Sequence, residues 1–182
     1  MNAWKATALF AMTEIERLLW RSKLTAEMNT GYWGYLSARN SQRDVWFKVF
    51  IAVISSGTVG AWAFWAAIPI VWKALSGLSA LTSIVVPLFK YSDKAKLMAD
   101  LGGKWSRLAN EYRGLWAELT DTLADSTNSS EFKRSKAESV KSKWDLLNVE
   151  IEKMAQNEAS IPLDKKVRLS CFEEVKRANG LS

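Results

Sequence analysis

Apolar residues recur along this chain in two different ways. Before about residue 45 and after about residue 91 they return every three or four positions, whereas from Trp46 to Phe89 they run almost without interruption. Only Lys48 and Lys73 carry charge in that central stretch. A three-or-four spacing keeps one helix face apolar, but a continuous run leaves no polar face for water. Crossing a hydrocarbon core takes about 20 helical residues. The stretch is too long for one crossing and suits two, with Pro69 at the turn. The pattern therefore predicts an all-α membrane protein built on a two-span transmembrane helical hairpin, with spans at about 47–66 and 70–89. The competing reading is a buried hairpin inside a soluble helical bundle. The remaining chain, itself amphipathic, offers little surface with which to cover such a hairpin.

The flanks give an orientation. Arg39, Arg43 and Lys48 precede the first span, and Lys90, Lys94 and Lys96 follow the second. Lys and Arg gather on the cytoplasmic side of short flanks, so both termini are expected there. Trp46, Trp62, Trp65, Trp72 and Tyr91 lie near the predicted ends, where interfacial aromatic residues belong.

Residues 1–45 read as an N-terminal amphipathic helical segment. Trp4, Ala8, Ala11, Ile15 and Leu18 share a face, and Asn29-Thr30-Gly31 is a candidate interruption before helix resumes at Tyr32. The mixed charges of its polar face favour packing on the later helices over lying on lipid. Residues 46–90 form the predicted hairpin and 91–182 a cytoplasmic helical region. In the latter, Leu97, Leu101, Trp105, Leu108, Tyr112, Leu115, Leu119 and Leu123 make one apolar seam, with Gly102-Gly103 a possible kink. Asp125 to Ser130 is loop by composition. Phe132, Ala137, Val140, Trp144, Leu147, Ile151 and Met154 make a second, nearly heptad seam, so the two helices are expected to fold back as an antiparallel, coiled-coil-like hairpin. Ser160 is a candidate cap for a last helix with Pro162 in its first turn and a stop at Asn179-Gly180.

Composition narrows the chemistry. The 182 residues contain no histidine, which removes the commonest general base and metal ligand. The single cysteine, Cys171, has no imidazole to activate it and reads as a packing residue. Gly102-Gly103-Lys104 fails as a phosphate loop, because Met98 and Trp105 stand where a Gly and a Ser or Thr are required. An enzyme is not expected, nor a cofactor or metal. The net charge of +6 suits anionic lipid headgroups. Basic and acidic residues nearly balance beyond Phe89, so no nucleic-acid partner is expected.

The predicted spans carry small and hydroxyl residues. Ser56, Gly57 and Gly60 form small-x-x-x-small patterns, and Ser76, Ser79 and Ser83 fall on one face of the second span. They serve either packing within the hairpin or the lining of a polar path between copies. The candidate cytoplasmic seam consists of Leu101, Trp105, Leu108, Tyr112, Leu115, Leu119, Val140, Trp144, Leu147 and Ile151.

With Glu14-Ile-Glu-Arg-Leu-Leu-Trp20 in its first helix, a two-span hairpin and Leu108, Tyr112 and Leu115 in a later helix, the chain resembles the SLATT group, two-transmembrane effector domains of bacterial antiphage defence. The resemblance implies an oligomeric effector of the bacterial inner membrane that depolarises the cell through a pore. It also implies a separately encoded sensor or nucleotide-signalling partner. The alternatives are a non-conducting anchor that recruits a protein through its cytoplasmic helices, and a phage holin. The lipid bilayer and further copies of the chain are the expected partners.

Overall fold

The structure, a computed structural model, describes the backbone of residues 3–60, 70, 73–74, 77, 80, 90–125, 127–158 and 161–181. Side chains are described from Glu14 onward, apart from those of 54–60 and 157. Among the described residues the helices with given bounds are, in order, α1 (Ala3–Gly60), α2 (Tyr91–Ala124), α3 (Ser130–Glu158) and α4 (Lys165–Ala178). Among the described residues there is no strand.

The expected two-span hairpin is corrected. Among the described residues no helix is long and apolar enough to cross a membrane. Arg39, Arg43, Asp44 and Lys48 punctuate α1, and of the uncharged run that begins at Val49 only 49–60 belongs to its described residues, fewer than the roughly 20 a crossing needs. The end of the first predicted span, 61–66, the predicted turn at Pro69 and most of the second span fall outside the described residues. Two further corrections concern glycine. Asn29-Thr30-Gly31 does not interrupt α1, and Gly102-Gly103 does not interrupt α2. The Thr30 hydroxyl donates to the Ala26 carbonyl at 2.8 Å and so stays within the helix. Glycine costs about 1 kcal/mol in a helix interior, which the packing of a long helix easily offsets.

The chain divides into two compact units. The first comprises Met1–Trp33 and Asp100–Ser182, and so the N-terminal half of α1, most of α2, and all of α3 and α4. Its core is Leu19, Ala26, Tyr32 and Trp33 of α1, Leu101, Trp105, Leu108, Tyr112 and Leu119 of α2, and Ala137, Val140 and Met154 of α3. α2 and α3 run antiparallel. From the turn outward, Lys133 Nζ donates to the Leu123 carbonyl at 3.0 Å, Lys143 pairs with Glu118 at 3.2 Å, and the Tyr112 hydroxyl donates to Asn148 Oδ1 at 3.1 Å. Arg107 and Glu150 close the series.

α1 lies against all three partners. Trp20 and Trp116 pack tilted with ring centroids 4.9 Å apart, and the Trp144 indole donates to Ser22 Oγ at 2.9 Å. Lys23, only 8% exposed, sits over the Trp20 ring at 4.3 Å and donates to Asn179 Oδ1 at 2.9 Å. The Asn179 amide in turn donates to Glu27, which also pairs with Arg113. A buried ammonium is tolerated there because each of its needs is met locally.

α4 starts at Asp164 rather than at Ser160, which lies outside the described residues. The Asp164 carboxylate accepts the Val167 N–H at 3.2 Å, an N-cap, and the Asp164 N–H donates to the Tyr32 hydroxyl at 2.9 Å. The helix stops at Asn179, where Gly180 takes a φ of 69°. At Gly31 an added Cβ would lie 3.9 Å from Cys171 Sγ, so α1 and α4 meet closely there.

The second unit is Gly34–Ala99. Ser37 Oγ donates to the Ala95 carbonyl at 3.0 Å, the buried Asn40 amide donates to the Leu36 carbonyl at 2.8 Å, and Phe47 stacks on Tyr91 at 5.4 Å. Beyond these, Val45, Trp46, Val49, Phe50 and Val53 of α1 are exposed, Trp46 by 74%.

Candidate functional site

The seam residues read from the sequence have two fates. Leu101, Trp105, Leu108, Tyr112, Leu115, Leu119 and Val140 are buried in the first unit, while Trp144, Leu147 and Ile151 are half-buried at its edge. These side chains hold α2 and α3 to each other and to α1. Burial pushes the Tyr112 phenol up to about 12, with the Glu111 carboxylate adding to the effect. Of the span residues, Ser56, Gly57 and Gly60 have helical backbone but no described side chain, and Ser76, Ser79 and Ser83 lie outside the described residues.

α3 carries a second seam that faces away from this core. Phe132, Ser135, Ser139, Ser142, Leu146 and Val149 follow one another at steps of three and four, and every one is exposed. Phe132 belongs to this outer line rather than to the inner one, being 52% exposed; Leu146 is 71% exposed and Val149 50%. Three residues of the line are serines, small enough to let another helix approach closely. Beside its C-terminal half lies a groove of about 390 Å³ between α2 and α3, lined by Glu111, Gly114, Leu115, Glu118, Lys143, Leu146 and Leu147. Gly114 leaves the groove floor open, since a Cβ added there meets nothing within 4 Å.

The rim is charged but internally paired. Glu118 takes Lys136 at 2.5 Å and Lys143 at 3.2 Å, and the hydrogen bond from Lys136 is the main reason its carboxyl is held below the usual range. Glu111 is within 3.4 Å of Arg107. What a partner could cover is therefore the apolar floor and the exposed leucine.

A second place of interest lies where α1, α2 and α3 converge. The indole N–H groups of Trp33 and Trp105 both donate to Oε1 of Glu158, the former at 3.0 Å. Glu158 closes one side of a cavity of about 330 Å³ that is also lined by Asn29, Tyr32, Trp33, Ala155, Ile161, Leu163 and Arg168.

No family model, curated protein or solved structure matches this chain. Its chemistry must be read from its own residues. Among the described residues no group of His, Cys, Asp and Glu is placed to hold a metal ion. Cys171 is buried, and burial followed by the nearby Glu174 raises its thiol above the ordinary value. Sequence reasoning missed the outer seam because its serines read as solvated surface. It missed Glu158 because a glutamate near a helix end carries no signal of its own.

Proposed function

We propose that this chain is a non-catalytic helical interaction module, and that the outer seam of α3 is its docking face, occupied by a second copy of the chain. The observation that carries the reading is the run Phe132, Ser135, Ser139, Ser142, Leu146 and Val149, a heptad-spaced line exposed on a helix whose opposite face is already packed. Leu146 is a knob and the groove at Gly114 a hole on the same surface. A surface with both can pair with itself about a twofold axis, each Leu146 entering the other copy's groove. The rim charges are already paired within each copy, so a second copy covers the apolar floor without stranding a charge.

Sedimentation of the wild type beside Leu146→Glu tests this. The wild type should be a dimer and the variant a monomer of unchanged helicity. A wild type that stays monomeric at high concentration contradicts the reading.

A second reading is favoured by the exposed α1 residues Val45, Trp46, Val49, Phe50 and Val53. Five large apolar side chains so close together, with Arg43 and Lys48 among them, suit attachment to a lipid surface rather than a crossing. The membrane-effector role implied by the SLATT resemblance would then rest on that attachment. Vesicles of anionic and zwitterionic phospholipid should bind the wild type and lose the double variant Trp46→Ser, Phe50→Ser; equal flotation of both would remove this reading.

A further inference from the structure

Two polar groups lining the cavity beside Glu158 have no side-chain partner among the described residues and are open to a ligand: Glu158 Oε2 and the Asn29 amide. Glu158 Oε1 accepts both indole N–H groups, and among the described residues no hydrogen bond or cation engages Oε2. The two donors orient the carboxylate but are neutral, so they leave its charge uncompensated. Asn29 lines the same cavity at 8% exposure, and among the described residues no hydrogen bond engages its amide. The amide is not sealed from solvent, so both its donors and its acceptor stay open to a ligand. Water serves either group but does not neutralise the carboxylate; a ligand ammonium donates to Glu158 Oε2 and to the Asn29 amide oxygen and does neutralise it. Arg168 also lines it, exposed on the first turns of α4 and, among the described residues, in no ion pair. Its planar fork suits a carboxylate. Between acid and base, Ala155, Ile161 and Leu163 supply an apolar wall.

We infer that this cavity binds a small zwitterion of the α-amino-acid class, its ammonium on Glu158 and Asn29, its carboxylate on Arg168 and its apolar side chain against Ile161 and Leu163. The cavity of about 330 Å³ falls at the lower end of small-molecule sites, as a ligand of this size requires. Because α1, α3 and α4 all contribute to its lining, a bound ligand ties the three helices together.

The test is a titration of the full chain with L-leucine, followed by the indole N–H resonances of Trp33 and Trp105. These two signals, assigned by Trp33→Phe and Trp105→Phe, should move saturably while indoles remote from the cavity stay still. N-acetyl-L-leucine, which lacks the ammonium, and L-leucinamide, which lacks the carboxylate, should each bind about tenfold or more weakly. Glu158→Gln keeps an acceptor for the indoles and should lose L-leucine binding. Arg168→Met lies on the surface, leaves the core untouched, and should weaken L-leucine while leaving L-leucinamide unchanged. No movement of either indole with L-leucine, or equal binding of the acetylated ligand, overturns the assignment. So does undiminished L-leucine binding by Arg168→Met.

Discussion

The two units of this molecule use one helix in opposite ways. Within Met1–Trp33 and Asp100–Ser182, α1 is met by α2, α3 and α4, and its buried residues alternate with groups that pair across helices, such as Lys23, Glu27 and Ser22. Within Gly34–Ala99 the same helix is met, among the described residues, mainly by the first turns of α2, and Val45, Trp46, Val49, Phe50 and Val53 stand exposed. A periodic pattern specifies both which face is buried and how many neighbours are needed to bury it. An unbroken apolar run specifies only that something must cover it, and leaves the cover unnamed.

The largest expected effect that sharpens this contrast is a pair of truncations. Leu108 is fully buried, and Leu108→Ala should cost about 2–5 kcal/mol in denaturant unfolding. Val53 is 63% exposed, and Val53→Ala should stay within about 0.5 kcal/mol of the parent. Similar losses at both positions would break the comparison, because they would mean that Val53 is covered as well as Leu108.

A smaller effect belongs to the first unit alone. The Tyr112 phenol titrates at about 12 in the folded chain against about 10 in the unfolded one. Above pH 10 the unfolded tyrosine loses its proton while the folded one keeps it, so unfolding becomes easier as pH rises. The contribution is fully present below pH 10 and is lost as pH climbs toward 12, at most about 2–3 kcal/mol. Tyr112→Phe should remove that part of the alkaline slope, and an identical slope in both proteins would show that Tyr112 is not desolvated.

Much of the first unit was legible in the sequence. Leu101, Leu108, Tyr112, Leu119 and Val140 were chosen by spacing alone, and the structure buries them. Spacing works there because helices meeting helices impose a period of three and four. The central run gave no such period, and its apolarity alone suggested a bilayer crossing that the described helices do not support. Glycine pairs and the Asn29-Thr30-Gly31 triplet misled for a different reason: local propensity is worth about 1 kcal/mol, less than the packing gained along a long helix. Contacts such as Glu158 with Trp33 and Trp105 join residues far apart in the chain, and no local pattern announces them.

The outer seam of α3 is proposed as the face between copies, and that is what most needs testing. The most direct measurement is the solution mass of the full chain over a wide concentration range, run beside Leu146→Glu under the same conditions. The wild type should be a dimer that dissociates on dilution, and the variant a folded monomer at every concentration. A monomeric wild type, or a variant that dimerises as tightly, would contradict the proposed face.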